Sequence, residues 1–363
     1  MDTLVLLGTA KGLFALRAGD GRERFELTGP SFPGEEVYAT CVDPRGETAR
    51  LLCGSVSNHW GPVLRCSDDL GATWSEERTA ALAFPADSGA ALARIWQLVP
   101  GPADQPEVVY AGVEPAALFR SDDSGQTFSL VDGLWGHPHR PQWQPGGGGM
   151  CLHTVLVHPT DPDRLLVAVS AAGVYLTDDG GRSWRASNAG IGVGFVPDTP
   201  VLEFGQCVHK VARDPADPER LYLQHHGGIY RSDNGGGSWD AMTGIAGMNF
   251  GFPVVAHPIR ADTAYLLPLE SDEFRCTPDG RCIVWRTTDA GDSWQPLTTG
   301  LPQADAHLTV LRDAFTTDGH DPAGLYFGTR SGEVYGSTDD GESWRLLASH
   351  LPPVLSVRAA PVG

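Results

Sequence analysis

The side chains best suited to chemistry are histidines that recur with cysteines in one pattern. Cys151-x-His153 and Cys207-x-His209 have the same residue types at the same separation. Each histidine lies five residues before the first residue of a His-Pro or Asp-Pro dipeptide. Neutral imidazoles are the commonest protein ligands of divalent transition metals. The pattern therefore indicates a candidate metal site.

We expect His153, His209 and either His225 or His226 to hold a divalent ion with one position open to water or substrate. Such an ion would support hydrolysis, elimination or isomerisation, because it acidifies bound water and polarises carbonyl groups. The predicted catalytic residues are His153, His209 and Glu114. An alternative stays open: the histidines hydrogen-bond the backbone and stack on aromatic rings, and the two cysteines fill crowded inner strands.

A second set of side chains is predicted to bind a ligand. Its aromatic rings would offer apolar surface, and its charged and imidazole groups would orient a polar molecule. Tyr38, Trp96 and Phe252 occupy the position of His153 in other repeats, and others lie in long connections or turns. The set comprises Tyr38, Arg94, Trp96, His137, His139, Trp143, His226, Phe252 and Arg330, with Glu36 and Glu114 as nearby carboxylates.

These residues are distributed over an internal repeat. An eight-residue segment of the type Ser/Thr-x-Asp-x-Gly-x-Ser/Thr-aromatic recurs at intervals of 50 to 56 residues. Its hydroxyl and carboxylate oxygens can accept hydrogen bonds from the turn's own N–H groups, and its glycine permits positive φ. The six copies are Ser67–Trp74, Ser121–Phe128, Thr177–Trp184, Ser232–Trp239, Thr287–Trp294 and Ser337–Trp344.

Each period contains four short apolar strands separated by X-Pro, glycine and Asp-motif turns. This predicts an all-β chain, residues 1–363, forming a single seven-bladed β-propeller. Residues 1–28 and 353–361 share the seventh blade, which closes the ring and removes free sheet edges. Long connections at 130–150, 187–206 and 240–251 are expected to wall a ligand funnel.

The Ser-x-Asp-x-Gly-x-Thr-Trp pattern resembles the Asp-box (BNR) repeat over the whole chain. It is similar to bacterial propellers of the sialidase-like, sortilin-like and photosystem II assembly-factor group. The resemblance implies that the Asp boxes lie on one face and that ligands bind on the other. A sialidase would need an arginine triad and a Phe/Tyr-Arg-Ile-Pro signature. The signature is absent, and nothing in the sequence sets Arg94, Arg140 and Arg330 in a triad. Related endoglucanases use two Asp between paired propellers, whereas this sequence predicts one propeller.

Composition narrows the function classes further. The 363 residues carry a net charge of −19, so nucleic acid and anionic membrane surfaces are excluded as partners. No apolar run is long enough to span a bilayer, and the amino terminus has no basic region of a signal peptide. We therefore expect a cytoplasmic protein with reduced thiols. A disulfide between Cys276 and Cys282 across a turn stays open.

The sequence thus predicts a glycosyl hydrolase-like hydrolase or lyase acting on a small polar or carbohydrate-like ligand, with metal assistance. The alternative is a non-catalytic scaffold that binds a ligand or a protein partner, as assembly factors do. An exo-sialidase or other glycosidase is the third hypothesis.

Overall fold

The computed structural model describes residues 1–46, 48–75, 81–192, 202–243, 245 and 249–363. These residues form β-strands arranged in seven sheets, six with four strands and one with three. The described helices are α1 (Asp132–Trp135) and three 3-10 turns, so none of them could cross a membrane. The predicted fold class, an all-β seven-bladed β-propeller, is confirmed.

Both ends of the chain contribute to one sheet. It contains β1 (Asp2–Thr9), β2 (Gly12–Ala18) and β3 (Glu26–Ser31), and the last strand, β27 (Val354–Val362), lies beside β1. The pairing of β1 with β27 is antiparallel and places Leu7 opposite Val357. The predicted closure of the propeller by shared terminal strands is therefore confirmed.

The chain divides into two compact units. The first unit comprises residues 1–33, 189–201 and 209–362, and it contains the terminal sheet and three further sheets. The strands of those three sheets are β15 (Val208–Arg213), β16 (Leu221–His225), β17 (Gly228–Ser232) and β18 (Asp240–Ala241); β19 (Phe250–Ala256), β20 (Ala264–Leu269), β21 (Val284–Thr287) and β22 (Gln295–Leu297); β23 (Phe315–Thr317), β24 (Leu325–Gly328), β25 (Val334–Ser337) and β26 (Arg345–Ala348).

The second unit comprises residues 34–188, 202–208 and 363. It contains three sheets. Their strands are β4 (Glu36–Asp43), β5 (Arg50–Ser57) and β6 (Gly61–Ser67); β7 (Arg94–Pro100), β8 (Val109–Glu114), β9 (Ala117–Ser121) and β10 (Ser129–Leu130); β11 (Cys151–Val157), β12 (Leu165–Ser170), β13 (Gly173–Thr177) and β14 (Arg185–Ala186).

The Asp motifs form the turns that the sequence predicts. In the first copy, Ser67 Oγ accepts a hydrogen bond from the Gly71 N–H at 2.8 Å, and Asp69 Oδ1 accepts one from the Thr73 N–H at 2.8 Å. Gly71 has φ of +88°. The fourth copy keeps the geometry with an amide, because Asn234 Oδ1 accepts from the Ser238 N–H at 2.9 Å. The motif is a local folding device.

Each unit has its own apolar core. In the first unit, the motif aromatic Trp344 is 3% exposed and its ring centroid lies 5.3 Å from that of Phe327. In the second unit, β12 is buried along its whole length and Trp184 is 8% exposed.

The first strands of four sheets contain a β-bulge at the position of His153, five residues before the X-Pro turn. The register of each pair shifts around a single residue or dipeptide. A bulge leaves a residue outside the ladder and redirects its side chain, and bulges are common beside functional sites. The bulged residues are Tyr38, Trp96, His153 and, with Pro253, Phe252.

Candidate functional site

Tyr38, Arg94, Trp96 and Glu114 lie together in the second unit, and we call them the aromatic–carboxylate cluster. The ring centroids of Tyr38 and Trp96 are 5.0 Å apart. The Arg94 guanidinium lies 4.4 Å from the Tyr38 centroid and 5.4 Å from that of Trp96, within the range of a cation–π contact. Four residues predicted from the sequence as ligand-binding or catalytic are thus neighbours.

Glu114 is held by two donors in this cluster. Its Oε2 accepts a hydrogen bond from Arg94 Nη1 at 2.9 Å and one from the Trp96 indole N–H at 3.0 Å. The contact follows from strand register, since Arg94 at the start of β7 is paired with Glu114 at the end of β8. The bulge at Trp96 brings the indole to the same carboxylate.

A second carboxylate lies on the same guanidinium. Glu36 Oε2 is 3.9 Å from Arg94 Nη2, and the Glu36 side chain is 44% exposed, against 19% for Glu114 and 26% for Arg94. The arrangement combines accessible aromatic faces with one protected and one exposed acid. Such a combination can stack on an apolar ring face and accept hydrogen bonds from hydroxyl groups.

The glycine run before β11 supports this cluster, and sequence reasoning missed that role. Gly149 has φ of +96°, and a Cβ built there would lie 2.3 Å from Glu114 Oε1. Only glycine lets the loop approach the carboxylate so closely. The signal was present in the four consecutive glycines at 146–149, but the sequence does not show which side chain they approach.

His137, His139 and Trp143 form a separate group around Tyr175. The Trp143 indole N–H donates to the Tyr175 hydroxyl at 2.8 Å, and Trp143 is only 7% exposed. His139 stacks on Phe204 with centroids 4.2 Å apart. Burial lowers the pKa of His137 below its usual value, with a smaller contribution from His139. In this loop the predicted ligand-binding rings largely contact each other.

His209 and His226 lie together in the first unit, with ring centroids 5.5 Å apart. His209 Nδ1 lies 2.6 Å from the Gly251 carbonyl oxygen, and His226 Nε2 lies 3.2 Å from Asp272 Oδ2. Burial holds the pKa of His209 well below its ordinary value and also lowers that of His226. Both rings are therefore neutral imidazoles near pH 7.

Of the histidines predicted to hold a metal, His209 and His226 are neighbours. His225 Nδ1 accepts a hydrogen bond from the Gly227 N–H at 3.0 Å, and burial lowers the pKa of His225 to about 4. His153 is fully buried, with Nδ1 3.0 Å from Thr154 Oγ1. Phe252 packs against His209 with centroids 4.9 Å apart.

Three other expectations concern segments outside these clusters. Arg330 is exposed, and its backbone N–H donates to the Thr309 carbonyl. Cys276 and Cys282 are separate thiols rather than a disulfide. Within the expected funnel connections, residues 193–201, 244 and 246–248 lie outside the described part of the chain.

The fold and these clusters define a β-propeller with an aromatic- and carboxylate-lined surface. No family model matches the chain. It is 24% identical over 281 residues to the xyloglucanase Xgh74A of Acetivibrio thermocellus, covering 66% of this chain and 30% of that protein. It is 26% identical over 294 residues to a xyloglucanase of Hypocrea jecorina, covering 72% and 32%. The chain thus spans about a third of the length of each of these two relatives.

Two solved structures are similar in fold. An ancestral GH74 enzyme superposes with a TM-score of 0.56 at 16% identity, covering 85% of this chain and 38% of that one. YCF48 bound to D1 peptide superposes with a TM-score of 0.53 at 15% identity, covering 85% and 81%. Both similarities support the propeller fold, and membership in the Asp-box group stays a prediction.

Proposed function

We propose that this chain binds a carbohydrate-like ligand at the aromatic–carboxylate cluster and hydrolyses a glycosidic bond there. The observation that carries the proposal is the contact of Glu114 with both Arg94 and the Trp96 indole, beside the ring of Tyr38. Similarity to two xyloglucanases supports the same substrate class.

Binding would use the two half-buried rings. Sugar rings have apolar C–H faces that pack on aromatic side chains, and their hydroxyl groups donate to carboxylates. Tyr38 and Trp96 supply the aromatic faces. Arg94 positions the acceptors, which are the carboxylates of Glu114 and Glu36 on either side of its guanidinium. The ligand would replace water over surfaces that are already in place.

Hydrolysis would use Glu114 and Glu36. Both carboxylates contact one guanidinium, so their nearest oxygens are separated by less than about 10 Å, a range that includes the separations used by retaining and inverting glycosidases. One carboxyl group would protonate the leaving oxygen, and the other would attack the sugar carbon or activate water. Glu114, whose carboxylate is held by two donors, suits the role of nucleophile or base. The more exposed Glu36 suits the role of acid.

The test is saturable binding and cleavage of xyloglucan oligosaccharides. Calorimetry should show binding to wild type that is lost in Trp96→Ala and Tyr38→Ala. Release of new reducing ends should fall at least about 100-fold in Glu114→Gln and Glu36→Gln. Glu107→Gln is the matched control, because Glu107 is exposed just before the opposite end of β8. Cleavage at wild-type rate by Glu114→Gln would refute the assigned chemistry.

One observation favours a second candidate, a non-catalytic protein-binding scaffold. This chain covers 81% of the solved YCF48 chain but only 30% and 32% of the two xyloglucanases. Selection of displayed peptides against the wild-type chain tests this function. Peptides that bind in the absence of any oligosaccharide binding, and that lose affinity in Trp96→Ala, would support the scaffold over the hydrolase.

A further inference from the structure

A cavity of about 350 Å³ lies on the sheet of β19 to β22 in the first unit. It uses no residue of the aromatic–carboxylate cluster and none of the site residues predicted from the sequence. Its volume falls within the range of about 300–1,000 Å³ that is typical of small-molecule sites. Its lining combines an apolar wall with a polar rim, as such sites commonly do.

The apolar wall follows from the register of the outer strands. Trp285 of β21 is paired with Leu266 of β20 and with Pro296 of β22. Pro268 lies two positions after Leu266 and therefore on the same face of the sheet. Pro268 is buried, and Ile283, just before β21, is half-buried and completes the wall. These ring and branched side chains offer an apolar surface of fixed shape.

The polar rim belongs to one turn that the rest of the first unit holds in place. Pro278–Gly280 form a 3-10 turn. The Ala306 N–H donates to the Gly280 carbonyl oxygen at 2.9 Å, and the Thr277 N–H donates to the Leu308 carbonyl oxygen at 2.9 Å. Because the turn is anchored on both sides, its side chains start from fixed positions, and this reduces the entropic cost of binding a ligand.

Asp279 and Arg281 bring opposite charges to this rim. Both side chains are exposed, and Arg281 Nη2 lies 3.4 Å from Gln303 Oε1, which is a long contact. In the part of the chain that the structure describes, neither residue forms an ion pair, with the other or with a third residue. An unpaired guanidinium can bind a carboxylate through two parallel hydrogen bonds, and an unpaired carboxylate can accept from an ammonium group.

We propose that this cavity binds a small zwitterion with an apolar side chain, of the class of the α-amino acids. Arg281 takes the carboxylate of the ligand, Asp279 takes its ammonium group, and Trp285 and the prolines pack on its side chain. A ligand with only one of the two charges would face a like charge on the rim, which disfavours it. The inference is independent of the proposed hydrolysis, since the two sites share no residue.

The experiment compares three probes with the same apolar ring by isothermal titration calorimetry of the full chain. The probes are L-phenylalanine, 3-phenylpropionate, which lacks the ammonium group, and 2-phenylethylamine, which lacks the carboxylate. Wild type should bind one L-phenylalanine per chain. The other two probes should bind at least about tenfold more weakly, because each loses one charge-assisted contact.

Two surface variants test the rim residues. Arg281→Gln should weaken L-phenylalanine binding at least about tenfold. Asp279→Asn should bind L-phenylalanine and 3-phenylpropionate about equally, because it removes the acceptor of the ammonium group. Arg24→Gln and Asp292→Asn are the matched controls, since they remove the same charges at exposed positions outside the cavity, and both should bind as wild type does.

Far-ultraviolet circular dichroism shows that each variant is folded. Wild type without saturable L-phenylalanine binding, or folded Arg281→Gln that binds it as wild type does, would overturn the proposal. Equal affinity of wild type for L-phenylalanine and 3-phenylpropionate would overturn the assignment of a zwitterion. Arg281→Gln should bind xyloglucan oligosaccharides as wild type does, so a failure of this site is distinguishable from a failure of the carbohydrate site.

Discussion

At the residue scale, a single glycine determines whether the loop before β11 can lie against Glu114. Replacing Gly149 by alanine introduces a Cβ 2.3 Å from Glu114 Oε1 and imposes a positive φ on a side-chain residue. We expect Gly149→Ala to displace the Glu114 carboxylate from Arg94 and Trp96 and to abolish the oligosaccharide binding that calorimetry detects in wild type.

Gly34→Ala is the control for this prediction. Gly34 has φ of +93°, but a Cβ there would meet no atom within 4 Å. Both variants should therefore lose roughly 1–2 kcal/mol of unfolding free energy from backbone strain, measured by urea denaturation. Only Gly149→Ala should lose the ligand. Equal binding by the two variants would show that Glu114 tolerates displacement.

The neighbouring histidines show what the sequence leaves undetermined at this scale. Alignment on the X-Pro turns identified His209, and the structure places its ring beside that of His226, with centroids 5.5 Å apart. It did not distinguish His225 from His226, because their directions depend on the turn at Gly227, whose N–H contacts His225 Nδ1. Asp272 contacts His226 although the two residues are 46 positions apart in the sequence, and no local pattern indicates such a contact.

At the element scale, the Asp motif is held by hydrogen bonds to its side-chain oxygens. Asp289 accepts hydrogen bonds from the Ser293 N–H at 2.8 Å and from the Thr287 hydroxyl at 2.8 Å. We expect Asp289→Ala to cost about 1 kcal/mol in thermal or urea unfolding, comparable to the loss of a helix cap. Asp289→Asn should cost much less, because Asn234 occupies this position in the fourth copy.

The exposed neighbour Asp292 provides the control in the same turn. Its side chain is 79% exposed and contacts Arg231 at 3.3 Å, an ion pair of a kind that contributes little. Asp292→Ala should therefore leave stability nearly unchanged. If Asp289→Asn were as destabilising as Asp289→Ala, the carboxylate charge itself would be required.

The motif also predicts a dependence of stability on pH. Hydrogen bonds from the Thr73 hydroxyl and N–H lower the pKa of Asp69 from 3.8 to about 2. A carboxyl group with a depressed pKa in the folded state stabilises the fold above its unfolded pKa and loses this contribution as pH falls. Unfolding free energy should thus decline between about pH 4 and pH 2, and Asp69→Asn should decline less steeply than wild type over that interval.

The blade elements were largely predictable, whereas the bulges were not. Repeat spacing and turn residues are local signals, so the strands and Asp turns follow from the sequence. The alignment selected Tyr38, Trp96, His153 and Phe252 as equivalent, but not as bulged. A bulge depends on pairing with the next strand, and pairing register is a tertiary property.

At the scale of the whole molecule, the last strand completes the sheet that the first strand begins. Leu4, Val5 and Leu7 of β1 are fully buried, and β27 pairs with β1 from Val354 to Val362. Without β27, the ladder edge of β1 would face solvent, and exposed apolar edges promote association between chains.

Deletion of residues 354–363 should therefore abolish stable folding of the monomer. The deletion removes Val354 and Val357, which are at most 1% exposed and contribute roughly 1.5–3 kcal/mol each, together with the hydrogen bonds of the ladder. Total domain stability is about 5–15 kcal/mol, so the loss is of the same order. Size-exclusion chromatography and thermal melting should show aggregation and no cooperative transition.

A synthetic peptide of residues 353–363 should restore both the monomer and the cooperative transition. A control peptide, with Val354, Ser356 and Val357 replaced by Asp, Val and Asp, should restore neither. A truncated chain that melts as wild type does would show that closure by shared strands is dispensable.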